Sequence, residues 1–140
     1  MKNQQLRPPK SAKSTRRSSG GRPRLLRPSA EMQRLAALLE VELLRWKHVT
    51  SRPMFGMVAV YRKSNIFALL PGNRALDEPN SIGFSLLNPS QRILNRMHKD
   101  ERIISHTAGS KWVSFALHSE ADIPDALEWF ALAYRQAGKS

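Results

Sequence analysis

The chain has 140 residues, no cysteine and a formal net charge of +12. This length suits a single domain with a modest core, and the lack of thiols excludes disulfides, thiolate metal sites and cysteine nucleophiles. No apolar run approaches the roughly 20 residues that span a bilayer, and the start lacks the apolar segment of a secretory signal. We therefore expect a cytoplasmic protein without membrane contact.

The positive charge is concentrated at the N-terminus. Residues 1–29 contain nine Lys or Arg and no acidic residue, whereas residues 30–140 contain 14 basic and 11 acidic side chains. The first 28 residues also contain four prolines and few apolar side chains, so they cannot bury enough surface to offset their ordering entropy. We therefore predict a disordered basic tail over 1–28 and a folded α+β domain over 29–140.

The first element predicted after the tail is a helix over about 30–47. Ser29 is a good N-cap, and apolar residues then recur at helical spacing. The predicted buried face consists of Leu35, Leu38, Leu39, Leu43 and Trp46.

Short apolar runs then predict an antiparallel sheet of five strands. Met54–Tyr61 and Ile66–Leu70 are apolar throughout, and the polar residues RKSN between them predict a turn. After a loop punctuated by Pro and Gly, Ser81–Leu86 alternates as a third strand. Arg102–Thr107 and Lys111–Leu117 predict a second hairpin.

Prolines mark the two remaining helices. Pro89 is placed in the first turn of a short helix, with Asn88 before it as a cap. Asp122 is predicted to cap a last helix that has Pro124 in its first turn and ends before Gly138. The predicted order is α-β-β-β-α-β-β-α, a two-layer α+β sandwich with helices on one face of the sheet.

Signals for catalysis are weak. None of the four histidines has a partner at metal-ligand spacing, and the chain has no phosphate-binding loop and no nucleophile elbow. His106 and His118 are the one pair that a hairpin could bring together, although solvated histidines at strand ends are the commoner outcome. We expect a protein that is not an enzyme and has no cofactor or metal.

Two features favour a nucleic-acid partner. The basic tail would attract a polyanion through counterion release. The alternative, to which we give equal weight, is a tail that only keeps the protein soluble. In the domain, Trp112 beside Lys111 is placed to stack on a base, and Arg52 and Arg74 flank the first hairpin. Cross-strand packing of the tryptophan is the commoner alternative. The tail residues predicted to contact phosphates are Arg16, Arg17, Arg22, Arg24 and Arg27.

Three segments resemble the N-terminal domain of the TfoX/Sxy family, which is named for regulators of bacterial competence genes. They are RPMFGMVAVY, IFALL and DALEWFALAYRQA, within a similarity that runs over roughly Thr50 to Ala137. The family's Met-Phe-Gly…Tyr motif is matched by Met54, Phe55, Gly56 and Tyr61. The resemblance implies a two-layer antiparallel α+β sandwich and a role as a regulatory binding module.

The chain also departs from that family. It has Met57 and Ala59 where glycines often follow the motif, and Ser85 where the third strand often has a lysine. The second, C-terminal domain of the longer competence regulators is not among these 140 residues. Transcriptional co-activation is therefore not carried over.

The motif itself is expected to be mainly structural. We expect Gly56 to lie where the backbone bends, and Met54 and Phe55 to pack beneath the helices. The alternative is that the motif borders a binding groove beside Arg52 and Arg74.

Two functions remain open. The first is a non-enzymatic TfoX-N-like regulatory module that binds a protein or nucleic acid, with its basic tail contributing to nucleic-acid binding. The second is a protein–protein interaction adaptor with an incidental tail. The oligomeric state is not predicted.

Overall fold

A computed structural model describes residues 27–76, 78–106 and 110–139, so the predicted tail lies outside it apart from Arg27 and Pro28. Three α-helices accompany an open antiparallel sheet of six strands. The helices are α1 (Ala30–Leu43), α2 (Gln91–Lys99) and α3 (Ile123–Ala137), with a 3₁₀ turn at Glu120–Asp122. The strands are β1 (Val49–Met54), β2 (Met57–Arg62), β3 (Asn65–Pro71), β4 (Ser81–Ser85), β5 (Ile103–His106) and β6 (Trp112–Ala116). Their order in the sheet is β1-β2-β3-β4-β6-β5. The predicted α+β class is confirmed, with one strand more than expected.

The additional strand, β1, lies mostly before the apolar run Met54–Tyr61, and a chain reversal near the start of that run separates it from β2. Phe55 and Gly56 have φ angles of 52° and 83°, and Met54 pairs with Met57 across this two-residue turn. Positive φ at both central residues is the requirement of a type I′ turn, whose twist matches that of the flanking strands. Uniform hydrophobicity concealed the turn, since Gly56 was its only sequence signal.

Helix α1 begins where predicted and ends earlier. The Ser29 hydroxyl accepts a hydrogen bond from the Met32 amide at 3.0 Å, as expected of an N-cap. The helix ends at Leu43, and Trp46 packs against the core from the following turn. Leu38 is 41% exposed, contrary to the prediction, because the packed face lies to one side of it. That face consists of Met32, Leu35, Ala36, Leu39 and Leu43.

The cap predicted for α2 is wrong by two residues. Ser90 is the N-cap, and its hydroxyl accepts from the Ile93 amide at 3.2 Å. Pro89 therefore precedes the helix rather than lying in its first turn. Asn88 adopts a positive φ of 46° in the approach to the helix.

Asp122 does not cap α3 with its side chain. Its carboxylate accepts from the backbone amides of His118 and Ser119 at 2.8 and 3.2 Å, and thus closes the preceding 3₁₀ turn. Pro124 in the first turn and the helix end before Gly138 are as predicted.

The helices and one face of the sheet enclose the core. Phe84 of β4 is fully buried, stacks on Trp129 at 5.5 Å and meets Phe130 edge-on at 6.3 Å. Arg62 lies over the Tyr134 ring at 4.1 Å and donates to the Tyr134 carbonyl, which ties β2 to the end of α3. The opposite face of the sheet carries no helix in the described part of the chain.

We predict that Gly56→Ala destabilises the fold. A Cβ at Gly56 would lie 2.7 Å from Asn73 Oδ1 and 2.9 Å from Arg74 Cβ. The left-handed backbone alone costs about 1–2 kcal/mol for an L residue. Thermal and urea unfolding should show a loss of at least this size, whereas Ser64→Ala in the β2–β3 turn should change little. Equal stability of the two variants would contradict the prediction.

Candidate functional site

A row of five paired residues crosses the helix-free face of the sheet, and its small members Ala59 and Ser114 are buried. Arg52 pairs with Ala59, Ala59 with Leu69, Leu69 with Gly83, and Gly83 with Ser114. Their neighbours along the strands, such as Val60 and Phe84, belong to the core. Because successive side chains alternate between faces, this row lies on the other face, which we name the open face.

A groove of about 290 Å³ lies on the open face. A Cβ placed at Gly83 would lie 3.1 Å from Leu76, 3.6 Å from Leu69 and 3.8 Å from Trp112. Leu76 therefore lies close over Gly83, and the absence of a side chain there allows this approach beside Trp112. The residues around this open-face groove are Met57, Leu69, Arg74, Ala75, Leu76, Gly83, Trp112, Val113 and Ser114.

Cations and aromatic rings border the groove. Arg74 is the one charged residue among the described residues that line it. The Lys111 ammonium lies 5.7 Å from the centroid of Trp112. Arg52 lies 5.1 Å over the ring of Tyr61. Within the described residues, none of these three cations forms an ion pair.

The structure thus brings together most of the domain residues proposed from sequence. Arg74 and Trp112 line one groove, and Lys111 contacts the same tryptophan. Arg52 lies two strands from Leu69, roughly 10 Å across the sheet. Gly83 was missed, although an isolated glycine within a strand is the signal of a close approach or an open space.

The family-motif residues lie at the hairpin tip and on β2. Gly56 lies at the bend, as expected, and Met54 and Tyr61 are partly buried. Met54 pairs with Met57, which lines the open-face groove, so the expectation that Met54 packs beneath the helices is wrong. Phe55 is 78% exposed, so the expectation that it packs beneath the helices is wrong. It occupies the first central position of a tight turn, where the side chain projects beyond the sheet.

The predicted phosphate contacts of the tail lie almost entirely outside the described residues. This applies to Arg16, Arg17, Arg22 and Arg24. Arg27 is exposed, just before α1.

The hypothesis of a histidine pair is excluded by the strand register. His106 pairs with Val113, whereas His118 follows five residues beyond Val113 in the chain. Five extended residues span roughly 17 Å. His118 therefore does not lie opposite His106.

A larger, charged cleft of about 630 Å³ lies between α2, β5 and α3. Its centre is Arg102, which donates to Asp100 at 3.0 Å, to Asp122 at 2.9 Å and to Asp125 at 2.7 Å. Trp129 adds a long hydrogen bond of 3.5 Å to Asp100. Sequence reasoning missed this cluster because two of the acids lie 20 and 23 residues from Arg102.

Arg102 helps to lower the pKa of two of its acidic neighbours, Asp100 and Asp122. Partial burial raises the pKa of Asp100, but the hydrogen bonds and charge of Arg102 outweigh it and hold that pKa below its ordinary value. For Asp122 the backbone amide of His118 and Arg102 together outweigh burial, and its pKa is lowered too. These groups satisfy one another, so the cluster is structural, and the smaller open-face groove is the better candidate site.

Metal and membrane sites were also sought in the described part of the chain. No group of three or more His, Asp or Glu side chains there is arranged to hold a metal ion. None of the helices described is both long enough and apolar enough to cross a bilayer.

Comparisons of the chain with protein-family models, with curated proteins and with solved structures found no match. Membership of the TfoX/Sxy family therefore stays a prediction from the motif residues. The function has to be argued from the geometry of the open face.

We predict that Arg102→Gln lowers the free energy of unfolding by about 1–3 kcal/mol at pH 7, because charged hydrogen bonds are lost from partly buried carboxylates. The Arg102 side chain is 26% exposed and that of Asp100 16%. Arg34→Gln is the control, since Arg34 and its partner Glu31 are about half exposed and such pairs contribute little. An equal effect of both substitutions would contradict the structural role of Arg102.

The wild type and Arg102→Gln can also be compared as a function of pH. Asp100 and Asp122 have lowered pKa values in the folded state, so the folded chain binds fewer protons than the unfolded chain near their ordinary value of 3.8. Their contribution is present above that pH and is lost as the pH falls through the folded-state values. The difference between wild type and Arg102→Gln should therefore shrink in urea unfolding below about pH 4.

Proposed function

We propose that this protein is a non-enzymatic, TfoX-N-like regulatory module of the cytoplasm that binds nucleic acid. The open face of its sheet receives the nucleotides, and the basic N-terminal segment holds the phosphate backbone. The observation that carries the proposal is the open-face groove, which has Arg74 and Trp112 among its lining residues and no acidic residue among the described ones.

The chemistry of this surface suits a nucleic acid. An aromatic ring offers a stacking platform to any base, and nearby Arg and Lys neutralise phosphates. Arg74, Arg52 and Lys111 are not engaged in ion pairs with the described residues. Binding a polyanion would therefore relieve their mutual repulsion without breaking an existing ion pair.

The basic segment supplies a second, unspecific contribution. Nine Lys or Arg precede residue 30 without an acid. If all nine met phosphates, the logarithm of the binding constant would fall by roughly 6 to 8 per decade of salt concentration. The open face would then contribute the part of binding that depends less on salt.

We predict that two sets of variants separate these contributions in a salt series with labelled DNA and RNA. Replacing Arg16, Arg17, Arg22, Arg24 and Arg27 by Gln in the full chain should flatten the salt dependence. Trp112→Ala should weaken binding by about 1–3 kcal/mol at every salt concentration, because a stacked base is lost. Arg74→Gln should also weaken it. Arg45→Gln is the matched control, since Arg45 is 73% exposed on the helical side.

Failure to bind any nucleic acid at low salt would refute the proposal. Binding that responds to the tail variant but not to Trp112→Ala or Arg74→Gln would leave only unspecific attraction and would remove the open face from the site.

A second candidate function, a protein–protein interaction adaptor, is favoured by an apolar stripe on α1. Leu38, Val41 and Leu44 are 41%, 58% and 44% exposed. Leu38 and Leu44 each lie three residues from Val41, so an antiparallel second copy of this chain would place its Leu44 against Leu38. Such self-complementarity is what a two-fold dimer requires.

We predict for this candidate that the protein forms a dimer in sedimentation equilibrium and that Val41→Glu makes it monomeric, because a charge would be buried in the interface. Ser64→Glu adds the same charge to the exposed β2–β3 turn and should leave the dimer intact. A monomeric wild type at high concentration would refute self-association, and another protein would then have to cover the stripe.

A further inference from the structure

We propose that Phe55 is a base-stacking residue that directs this protein to unpaired nucleotides in single-stranded nucleic acid. The inference rests on the proposed nucleic-acid function and adds to it the class of substrate and a residue that selects it. Three independent features of the hairpin tip support it: exposure, backbone conformation and position.

The first feature is exposure. Phe55 is 78% exposed, the highest value among the large apolar side chains of the described residues, and it is the one aromatic ring among those that are exposed. Nothing in the described fold packs over it to account for a phenyl ring. Its apolar surface is therefore available to a ligand.

The second feature is the backbone. Phe55 has a φ of 52°, in the left-handed region that suits Gly, Asn and Asp and disfavours bulky residues. Asn or Gly at this position of the turn would therefore give a more stable fold. An exposed ring held in an unfavourable conformation has a cost in stability and no compensating contact, which points to a role in binding.

The third feature is position. The Arg74 guanidinium donates to the Phe55 carbonyl at 3.4 Å, and the Arg74 amide donates to the Gly56 carbonyl at 3.1 Å. Arg74 also lines the open-face groove. The hairpin tip is thus joined to the groove through a cation, so a base stacked on Phe55 would have its phosphate close to Arg74.

These features favour single strands over duplexes. Bases in a duplex are already stacked on one another, so a side chain gains a stacking contact only after unstacking them. A flexible single strand can splay its bases onto Phe55 and Trp112 while its backbone meets Arg74. A protein partner is less well matched, because one ring beside a cation offers much less than the apolar area of a standard interface.

The test uses the full chain and three variants, Phe55→Asn, Phe55→Trp and Leu87→Asn. Asn suits the turn, Trp preserves stacking, and Leu87 is a control because it is 54% exposed and does not line the open-face groove. The probes are a labelled oligothymidylate, a duplex of equal length, and vesicles of mixed zwitterionic and anionic lipid. Thermal unfolding is measured for every variant.

We expect Phe55→Asn to bind oligothymidylate about 5- to 100-fold more weakly, because one stacked base is lost. Its affinity for the duplex should be unchanged and its Tm equal to or higher than that of wild type. Phe55→Trp should bind the single strand at least as well as wild type. Leu87→Asn should match wild type with both nucleic acids.

Each other outcome overturns the inference in a recognisable way. Unchanged single-strand affinity of Phe55→Asn, while Trp112→Ala and Arg74→Gln are impaired, would remove Phe55 and leave the proposed function standing. An equal loss with duplex would overturn the selectivity for unpaired bases. A fall in Tm would show that the ring supports the fold. Vesicle binding that needs Phe55, without an effect on oligothymidylate, would make the tip a membrane anchor. No nucleic-acid binding by wild type would overturn both proposals.

Discussion

The burial of Phe84 beneath α3 determines which residues of the sheet face the helices and which face away from them. Its ring has no solvent exposure and lies against Trp129 and Phe130 at 5.5 and 6.3 Å. Because side chains alternate along a strand, this contact directs Gly83 to the opposite face. The groove beside Trp112 therefore depends on how the core packs, since Gly83, next to the core phenylalanine, lets Leu76 approach the sheet closely on that side.

The positively charged side chains have different kinds of partner on the two sides of the sheet. At the helical side Arg102 is shared by three aspartates, and Arg96 lies over Trp129 and 3.6 Å from Glu128. On the open face Arg52 and Arg74 have aromatic or backbone partners, and within the described residues no carboxylate. Lys111, which lies 5.7 Å from the Trp112 ring, has no carboxylate partner among them either. Unpaired cations on one surface add little to stability, but they attract a polyanion and accelerate its association. This contrast makes the smaller groove, rather than the larger charged cleft, the better candidate for binding a polyanion.

The hairpin tip shows how stability and binding compete in this fold. Both central positions of the turn require a positive φ. Gly56 adopts it without strain, whereas Phe55 adopts it at a cost in stability. The turn is nevertheless held in place, because Arg74 bonds to the carbonyls of both residues. A rigid tip with an exposed ring loses little conformational entropy when it stacks on a ligand, which favours affinity.

Local patterns in the sequence determined the fold class, most element positions and the start of α1, because hydroxyl caps, prolines and hydrophobic periodicity act over a few residues. They also identified Arg74, Lys111 and Trp112 as candidate binding residues. They failed at Phe55–Gly56, where an unbroken apolar run concealed a turn, and at Leu38, where only the neighbouring layers decide which helix face is covered. The cluster around Arg102, the separation of His106 from His118 and the close approach of Leu76 to Gly83 were decided by tertiary structure. Each depends on strand register or on contacts between residues far apart in the chain, which no local pattern encodes.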